Sequence, residues 1–255
     1  MSTPNTPDLP ATPTGRTAVV TGGSRGIGRR VVTRLAADGF AVLVGYAGNQ
    51  TEAEAAVAEV ETAGGRAIAV RADVADEQAV GVLFDTAERT FGGVDAVVHA
   101  AGRMPLAPLA ELDLADLDDL HRTNIRGTFV VDQQAVRRLR PGGALVNFSS
   151  SVVGLAFPNY SAYAASKGAV EAMTMVLARE MRGRDVTVNA VAPGPTATDL
   201  FLRANDEQRV AKLAAQVPLE RLGTPDDIAE VVAFLVSPAG RWVNGQVLRA
   251  NGGIV

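Results

Sequence analysis

The stretch TAVVTGGSRGIG, Thr17 to Gly28, decides how the rest of the chain is read. Its first five residues are β-branched or small and apolar, the composition of a buried strand. Glycines 22, 26 and 28 then mark a turn into a helix that is expected to run to about Asp38. Gly22 permits a tight turn, Gly26 lets the backbone approach a pyrophosphate, and Gly28 lets the helix pack on the sheet. The free N–H groups and partial positive charge of the helix N-terminus suit phosphates. A glycine triplet alone would also fit a ligand-free flexible turn. Its place between a first strand and a first helix weighs strongly against that.

Outward from this unit, short apolar runs alternate with helical patterns. Strands are expected at 40–46, 66–74, 94–102, 144–150, 185–194 and 245–253. Helices are expected at 52–62, 76–91, 114–139 (closed by PGG), 161–181 and 224–235. The last begins with Thr224 as N-cap, Pro225 at the first helical position and two aspartates in the first turn. The strands are near-continuous apolar runs, so both faces of the sheet are covered. Strands separated by helices imply right-handed βαβ units. The expected fold is α/β, a Rossmann-type doubly wound parallel sheet in one domain over residues 16–255. Residues 1–15, MSTPNTPDLPATPTG, carry four prolines and no apolar run. They are read as a disordered leader rather than a signal peptide or membrane span.

Composition narrows the function. The 255 residues are 47% hydrophobic and 20% charged, with net charge −4, so a broad basic face is not expected. Nucleic acid and anionic membrane are poor partners for such a chain. There is no cysteine, which removes disulfides, thiolate metal sites and cysteine nucleophiles. The two histidines, His99 and His121, are too few for a histidine metal site, and no metal is expected. A cytoplasmic location is expected.

The choice of dinucleotide rests on charge. An acid reading a ribose 2′-hydroxyl would stand about 20 residues past the glycine loop, at the end of the second strand. That region, VLVGYAGNQT (42–51), has no acid before Glu52. Arg25 lies inside the loop instead, able to pair bidentately with a 2′-phosphate. NADP(H) is therefore expected over NAD(H).

The candidate chemistry lies in FSSSVVGLAFPNYSAYAASK, Phe148 to Lys167. Tyr163 and Lys167 are four apart on a helix and so share a face. A lysine ammonium beside a tyrosine favours the phenolate, and a tyrosine so tuned can exchange a proton with an alcohol or ketone oxygen. Tyr160 lacks that partner and reads as a packing or substrate-facing residue. Tyr and Lys meet at this spacing by chance in many helices. The motif gains force from the glycine loop, from Thr123-Asn124 and from the serines that end the fifth strand.

With these residues together, the chain resembles the short-chain dehydrogenase/reductase family from about Arg16 to its C-terminus, closest to the 3-oxoacyl-carrier-protein reductase-like branch. The resemblance implies a seven-stranded parallel sheet and NAD(P)-dependent oxidoreduction. It implies a catalytic quartet of Asn124, a serine, Tyr163 and Lys167. Tyr163 would be the acid/base, Lys167 would also hold the nicotinamide ribose, and Asn124 would support a water relaying protons to the lysine. The family's TGxxxGxG pattern is met by Thr21, Gly22, Gly26 and Gly28, its adenine-contacting pair by Asp73 and Val74, and its PG motif by Pro193 and Gly194, with Thr196 and Thr198 near the carboxamide. The implied cofactor contacts extend to Ser24, Arg25, Ile27, Tyr46, Ala100, Ala101 and Gly102. Position after the fifth strand and a separation of thirteen residues from Tyr163 favour Ser150 as the serine. The SVVG that follows directly favours Ser151. Ser150 is preferred, as the group that hydrogen-bonds the substrate oxygen.

One departure is HAAG (99–102) where the family has NNAG. His99 reads as a strand-end histidine with satisfied hydrogen bonds, and His121 as a surface or interface residue. Family members place a mobile lid in the segment matching 195–223. Leu200, Phe201 and Leu202, with Met104, Val152, Leu155 and Phe157, would then wall a hydrophobic ketone pocket. The expected function is NADPH-dependent reduction of a ketone, a 3-oxoacyl thioester among the possibilities, to a secondary alcohol. Rivals are an oxidative alcohol or sugar dehydrogenase and a non-catalytic NADP(H)-binding regulatory protein. A homotetramer or dimer is implied, for whose interface Trp242 and the closing strand are suited.

Overall fold

The structure, a computed structural model, describes residues 15–255. The expected leader, Gly15 apart, lies outside the described residues. Seven strands form one sheet: β1 (Thr17–Thr21), β2 (Ala41–Tyr46), β3 (Arg66–Arg71), β4 (Val94–His99), β5 (Leu139–Phe148), β6 (Thr187–Pro193) and β7 (Val247–Ala250). Their order is β3-β2-β1-β4-β5-β6-β7, and every neighbouring pair is parallel. The chain reverses its winding between β1 and β4. Sheets of this kind bind ligands at the carboxyl ends of their strands beside that reversal.

The helices are α1 (Gly26–Ala37), α2 (Gln50–Thr62), α3 (Glu77–Phe91), α4 (Leu114–His121), α5 (Gly127–Arg138), α6 (Val152–Leu155), α7 (Ser161–Glu180), α8 (Asp199–Ala204), α9 (Glu207–Gln216) and α10 (Pro225–Val236). Alternate residues of each strand feed two apolar layers, because successive side chains in a strand point to opposite faces. Val20, Val44 and Val98 pack with Leu35 of α1, Val60 of α2 and Ile228 and Val232 of α10. Val19, Leu43, Val97 and Leu145 pack with Phe84 of α3 and Val131 of α5 on the other face. The capping expected at α10 is present as a full box, with Thr224 accepting from the Asp227 N–H and Asp227 accepting in return.

Three boundaries differ from expectation for identifiable reasons. The single helix expected over 114–139 is broken by a π turn at Arg122–Arg126, where Asn124 turns its amide to the Arg103 backbone. The third strand stops at Arg71, since Ala72 donates to the Tyr46 carbonyl and Asp73 opens the turn that Asp76 continues as the α3 N-cap. Strand β5 begins at Leu139, opposite Val94, and resumes pairing at Ala144. The intervening proline and two glycines bulge out of the ladder, as a residue without an N–H requires.

Beneath the strand ends on the α5 face lies a buried polar layer. Thr21 Oγ1 and His99 Nδ1 are 2.7 Å apart, and Asn147, paired to His99 in the sheet, donates to Asp132 Oδ2 at 2.9 Å. His99 Nε2, Asp132 Oδ1 and Asn147 Oδ1 find no partner among the described residues, so His99 is only half satisfied, contrary to expectation. Burial, with the Lys167 charge adding to it, pushes His99 down to about 3 and keeps the ring neutral. Burial pushes Asp132 up to about 7, opposed by its bond from Asn147.

A carboxyl with a higher pKa folded than unfolded keeps its proton in the fold while the unfolded chain loses it. Stability is then undiminished below the unfolded value of about 3.9 and falls as pH rises to about 7, beyond which the loss is constant. Asp132→Asn removes this titration. Thermal melts should show the variant matching the parent near pH 4 and exceeding it at pH 8; equal melting temperatures at both pH values would show that Asp132 is not the buried acid responsible.

Candidate active site

A cleft of about 640 Å³ opens at the carboxyl ends of β1, β4, β5 and β6. Its floor is the glycine loop. Gly22 has φ +66°, and a Cβ there would stand 2.8 Å from the Ala101 nitrogen. A Cβ on Gly28 would stand 2.2 Å from the Gly22 carbonyl oxygen, so no side chain fits without moving backbone. The N-cap of α1 is Arg25, in extended conformation and with no side-chain cap. α2, α3 and α10 are all capped by side chains. The first-turn N–H groups of α1 thus face the cleft unclaimed, and with the close-packed glycines they fit a dinucleotide pyrophosphate.

Charge around α1 is partitioned. Arg29 reaches Glu52 at 3.2 Å and Glu59 at 3.0 Å, Arg30 pairs with Asp226 and Glu59, and Arg34 pairs with Asp38 and Glu230. Arg25 has no carboxylate partner among the described residues and lines the cleft, as do Tyr46, Ala47, Gly48 and Asn49 after β2. The nearest acid in the sequence after β2, Glu52, is already taken by Arg29. At the far edge Asp73 accepts from the Ala75 N–H and from Arg122 at 2.7 Å; these bonds outweigh burial and hold its carboxyl below the usual range.

All the residues expected to touch cofactor line this cleft: Gly22 to Gly28 of the loop with Ser24, Arg25, Gly26 and Ile27, then Tyr46, Asp73, Val74, Ala100, Ala101, Gly102, Tyr163, Lys167, Pro193, Gly194, Thr196 and Thr198. The two threonine hydroxyls have internal duties. Thr196 donates to the Gly194 carbonyl at 2.9 Å, and Thr198 caps α8. Asn124 does not line the cleft. Its Oδ1 accepts from the Arg103 N–H at 2.8 Å, and its Nδ2 donates to the Arg103 carbonyl and to Ser166 Oγ. The space a side chain on Gly102 would take is bounded by Asn124 Oδ1 and Lys167 Nζ.

The three serines after β5 divide cleanly. Ser149 is buried and donates to Glu171 at 2.7 Å. Ser151 is buried, donates to the Ala192 carbonyl at 3.1 Å and accepts from Asn251 at 3.0 Å. Ser150 accepts only a long bond from the Val152 N–H, and its hydroxyl favours ionisation of the Tyr163 phenol it stands near. Lys167 Nζ donates to the Phe148 carbonyl at 2.7 Å and lies 5.7 Å from the centre of the Tyr163 ring. Burial lowers Lys167 to about 8. Burial also raises Tyr163 to about 12, against the opposing Ser150 hydroxyl. The sequence expectation of a lowered tyrosine is therefore reversed here, because Lys167 aims its ammonium at a carbonyl and desolvation dominates the phenol.

Met104, Val152, Leu155, Phe157, Tyr160, Leu200, Phe201 and Leu213 give the cleft an apolar wall. Leu202 was expected among them but does not line it. Leu213, on α9, and Arg122, on the π turn, were not anticipated. No local pattern distinguishes either from a neighbouring helix residue.

Comparison with known proteins agrees with this geometry. A family model described as enoyl-(acyl carrier protein) reductase matches residues 22–255. A short-chain type dehydrogenase/reductase of Picea abies is 43% identical, over 94% of this chain and 93% of its own. An NADPH-dependent aldehyde reductase-like chloroplastic protein of Arabidopsis thaliana is 38% identical over the whole of both chains. The crystal structure of a short chain dehydrogenase from Burkholderia cenocepacia in complex with NADP superposes with a TM-score of 0.89, at 40% identity, covering 94% of this chain and 98% of that one. The chain belongs to the short-chain dehydrogenase/reductase family. It is accordingly an NAD(P)-dependent oxidoreductase of the C=O/CH–OH pair.

The serine geometry has a measurable consequence. Ser149→Ala and Ser151→Ala each break buried bonds and should cost about 1–2 kcal/mol in denaturant unfolding. Ser150→Ala should stay within about 0.5 kcal/mol of the parent. An equal loss at all three positions would contradict the division.

Proposed function

We propose that the protein is an NADPH-dependent carbonyl reductase that converts an apolar ketone to a secondary alcohol. The carrying observation is that Ser150, Tyr163 and Lys167 line one cleft together with the glycine loop and with Arg25, which has no carboxylate partner among the described residues. The glycine loop, Asp73, Pro193, Gly194 and Lys167 would hold NADPH, which would supply the hydride when bound. Tyr163 would give its proton to the carbonyl oxygen as the C=O π pair moves onto that oxygen. The Tyr163 phenol, held protonated by burial, is in the state that can donate that proton. Ser150 donates a hydrogen bond to the same oxygen and stabilises the charge developing on it. Lys167, charged below about pH 8, stands beside Tyr163, holds the nicotinamide ribose and restores the proton. Asn124 fixes the Gly102–Arg103 main chain against Lys167 and supports the water that feeds protons to it.

The names of the Arabidopsis relative and of the Burkholderia complex support the NADP(H) choice. A 3-oxoacyl thioester remains within the substrate class. The same reading takes the protein as cytoplasmic and as a homotetramer or dimer. Trp242 is 99% exposed, and Phe129 on α5 and Met175 and Val176 on α7 are more than half exposed. Apolar groups of that size stand in water at a cost unless a second copy covers them. Among the described residues no helix is long and apolar enough to cross a membrane.

Purified protein should oxidise NADPH against a ketone panel that includes an acetoacetyl thioester, and Tyr163→Phe should abolish turnover while still binding NADPH. Reductive kcat/KM should hold steady below about pH 8 and fall above it as Lys167 loses its charge, because Tyr163 keeps its proton to higher pH. Arg25→Ala should weaken NADPH by roughly tenfold or more, as loss of a charge-assisted bond implies, with NADH affinity unchanged. NADH bound more tightly than NADPH by the parent protein would overturn the cofactor assignment. A mass from light scattering equal to one chain would overturn the assembly.

A further inference from the structure

Arg209 stands on α9, half-buried, with aromatic rings rather than a carboxylate beside its guanidinium. Its guanidinium carbon lies 6.0 Å from the centre of the Phe157 ring and 5.9 Å from that of Tyr160. Its Nε donates to Asn205 Oδ1 at 2.9 Å, and no acidic partner is present among the described residues. Asn205 is buried and in turn donates to the Phe201 carbonyl of α8 at 2.8 Å. One cation therefore ties both lid helices to the segment between α6 and α7.

What it rests on leads to the reacting atoms. Phe157 and Tyr160 meet edge to face at 5.9 Å, and Tyr160 and Tyr163 meet the same way at 6.5 Å. All three rings line the cleft, and Arg209 lies behind them. A cation over two ring faces is attracted by the negative potential of both. Edge-to-face contacts then fix the ring angles down the row.

We propose that Arg209 is a positioning residue: it clamps the lid to the Phe157–Tyr160–Tyr163 row and so fixes the shape of the apolar wall that selects bulky ketones. This rests on the carbonyl-reductase reading for its substrate and on geometry alone for the clamp. The clamp acts where a large apolar group would lie beside the carbonyl. A small ketone would need less of the wall that Phe157 and Leu213 form, and the cofactor-facing glycine loop makes no contact with Arg209 in the bonds and ring contacts above.

The test uses the full-length protein and the variants Arg209→Met and Arg209→Lys. With an aryl ketone, Arg209→Met should raise KM about tenfold, the loss expected of a half-buried cation shared by two rings, about 1.4 kcal/mol. Its kcat should change less, its KM for a small aliphatic ketone should stay within about twofold, and NADPH affinity should be unchanged. Arg209→Lys, which keeps the cation, should recover most of the loss. Hydrogen exchange without any substrate gives a second readout. Arg209→Met should speed exchange in peptides covering residues 199–217 and 155–163 and leave the rest of the chain as it was.

Unchanged aryl-ketone KM with unchanged exchange would overturn the proposal. So would a uniform rise in KM for large and small ketones with weakened NADPH binding, which marks a general structural defect. If the parent reduces no ketone at all, the carbonyl-reductase reading fails. The clamp is then judged by hydrogen exchange alone.

Discussion

Three segments of backbone meet at Gly22, and the rest of the architecture is arranged around that meeting. Gly22 leaves β1 with its missing side chain against the backbone of Ala101, just past β4, and its carbonyl against the α-carbon of Gly28 in α1. No atom larger than hydrogen can stand at either place. The first strand, its neighbour across the winding reversal and the first helix are thereby brought within one residue's width of each other. The cleft exists because β4 and β1 send their chains apart above that point. The dinucleotide-binding groups around it are main-chain N–H groups, which cannot be replaced by side-chain substitution. Hydrophobic layers on both faces of the sheet then hold the meeting in place; they do not create it.

Much of this was legible in the sequence because it is carried by local constraints. Glycine spacing, a Thr-Pro-Asp-Asp helix start and apolar runs of strand length each express a preference of a few neighbouring residues. The seven parallel strands and the helices between them follow from such preferences. That the residues expected at the strand ends line one cleft was legible for the same reason. What was not legible depends on partners distant in sequence. The π turn at Asn124 follows from bonds to Arg103, and the bulge at Pro141 follows from where β4 happens to resume pairing. The choice among Ser149, Ser150 and Ser151 needed Glu171, Ala192 and Asn251 to be in place. Leu202 has the same apolar character as Leu200, and only the rotation of α8 tells them apart.

The acid–base pair illustrates the limit of arguing from spacing. Four residues on a helix place Tyr163 and Lys167 on one face, but the side chains are long enough for the ammonium to choose its target. It takes the Phe148 carbonyl, and both groups are displaced toward their neutral forms by burial. Burial, rather than the four-residue spacing, sets the charge state of the pair. The same desolvation acts one layer below on His99, which also feels the Lys167 charge, and on Asp132. Burial beneath the strand ends is general.

The ion pairs along α1 separate two jobs within one helix. Arg29, Arg30 and Arg34 bind α1 to α2 and α10, while Arg25, one turn earlier, has no carboxylate partner among the described residues. Charge at the loop can therefore be changed without loosening the helix: what anchors α1 and what α1 offers to the cleft are mechanically independent.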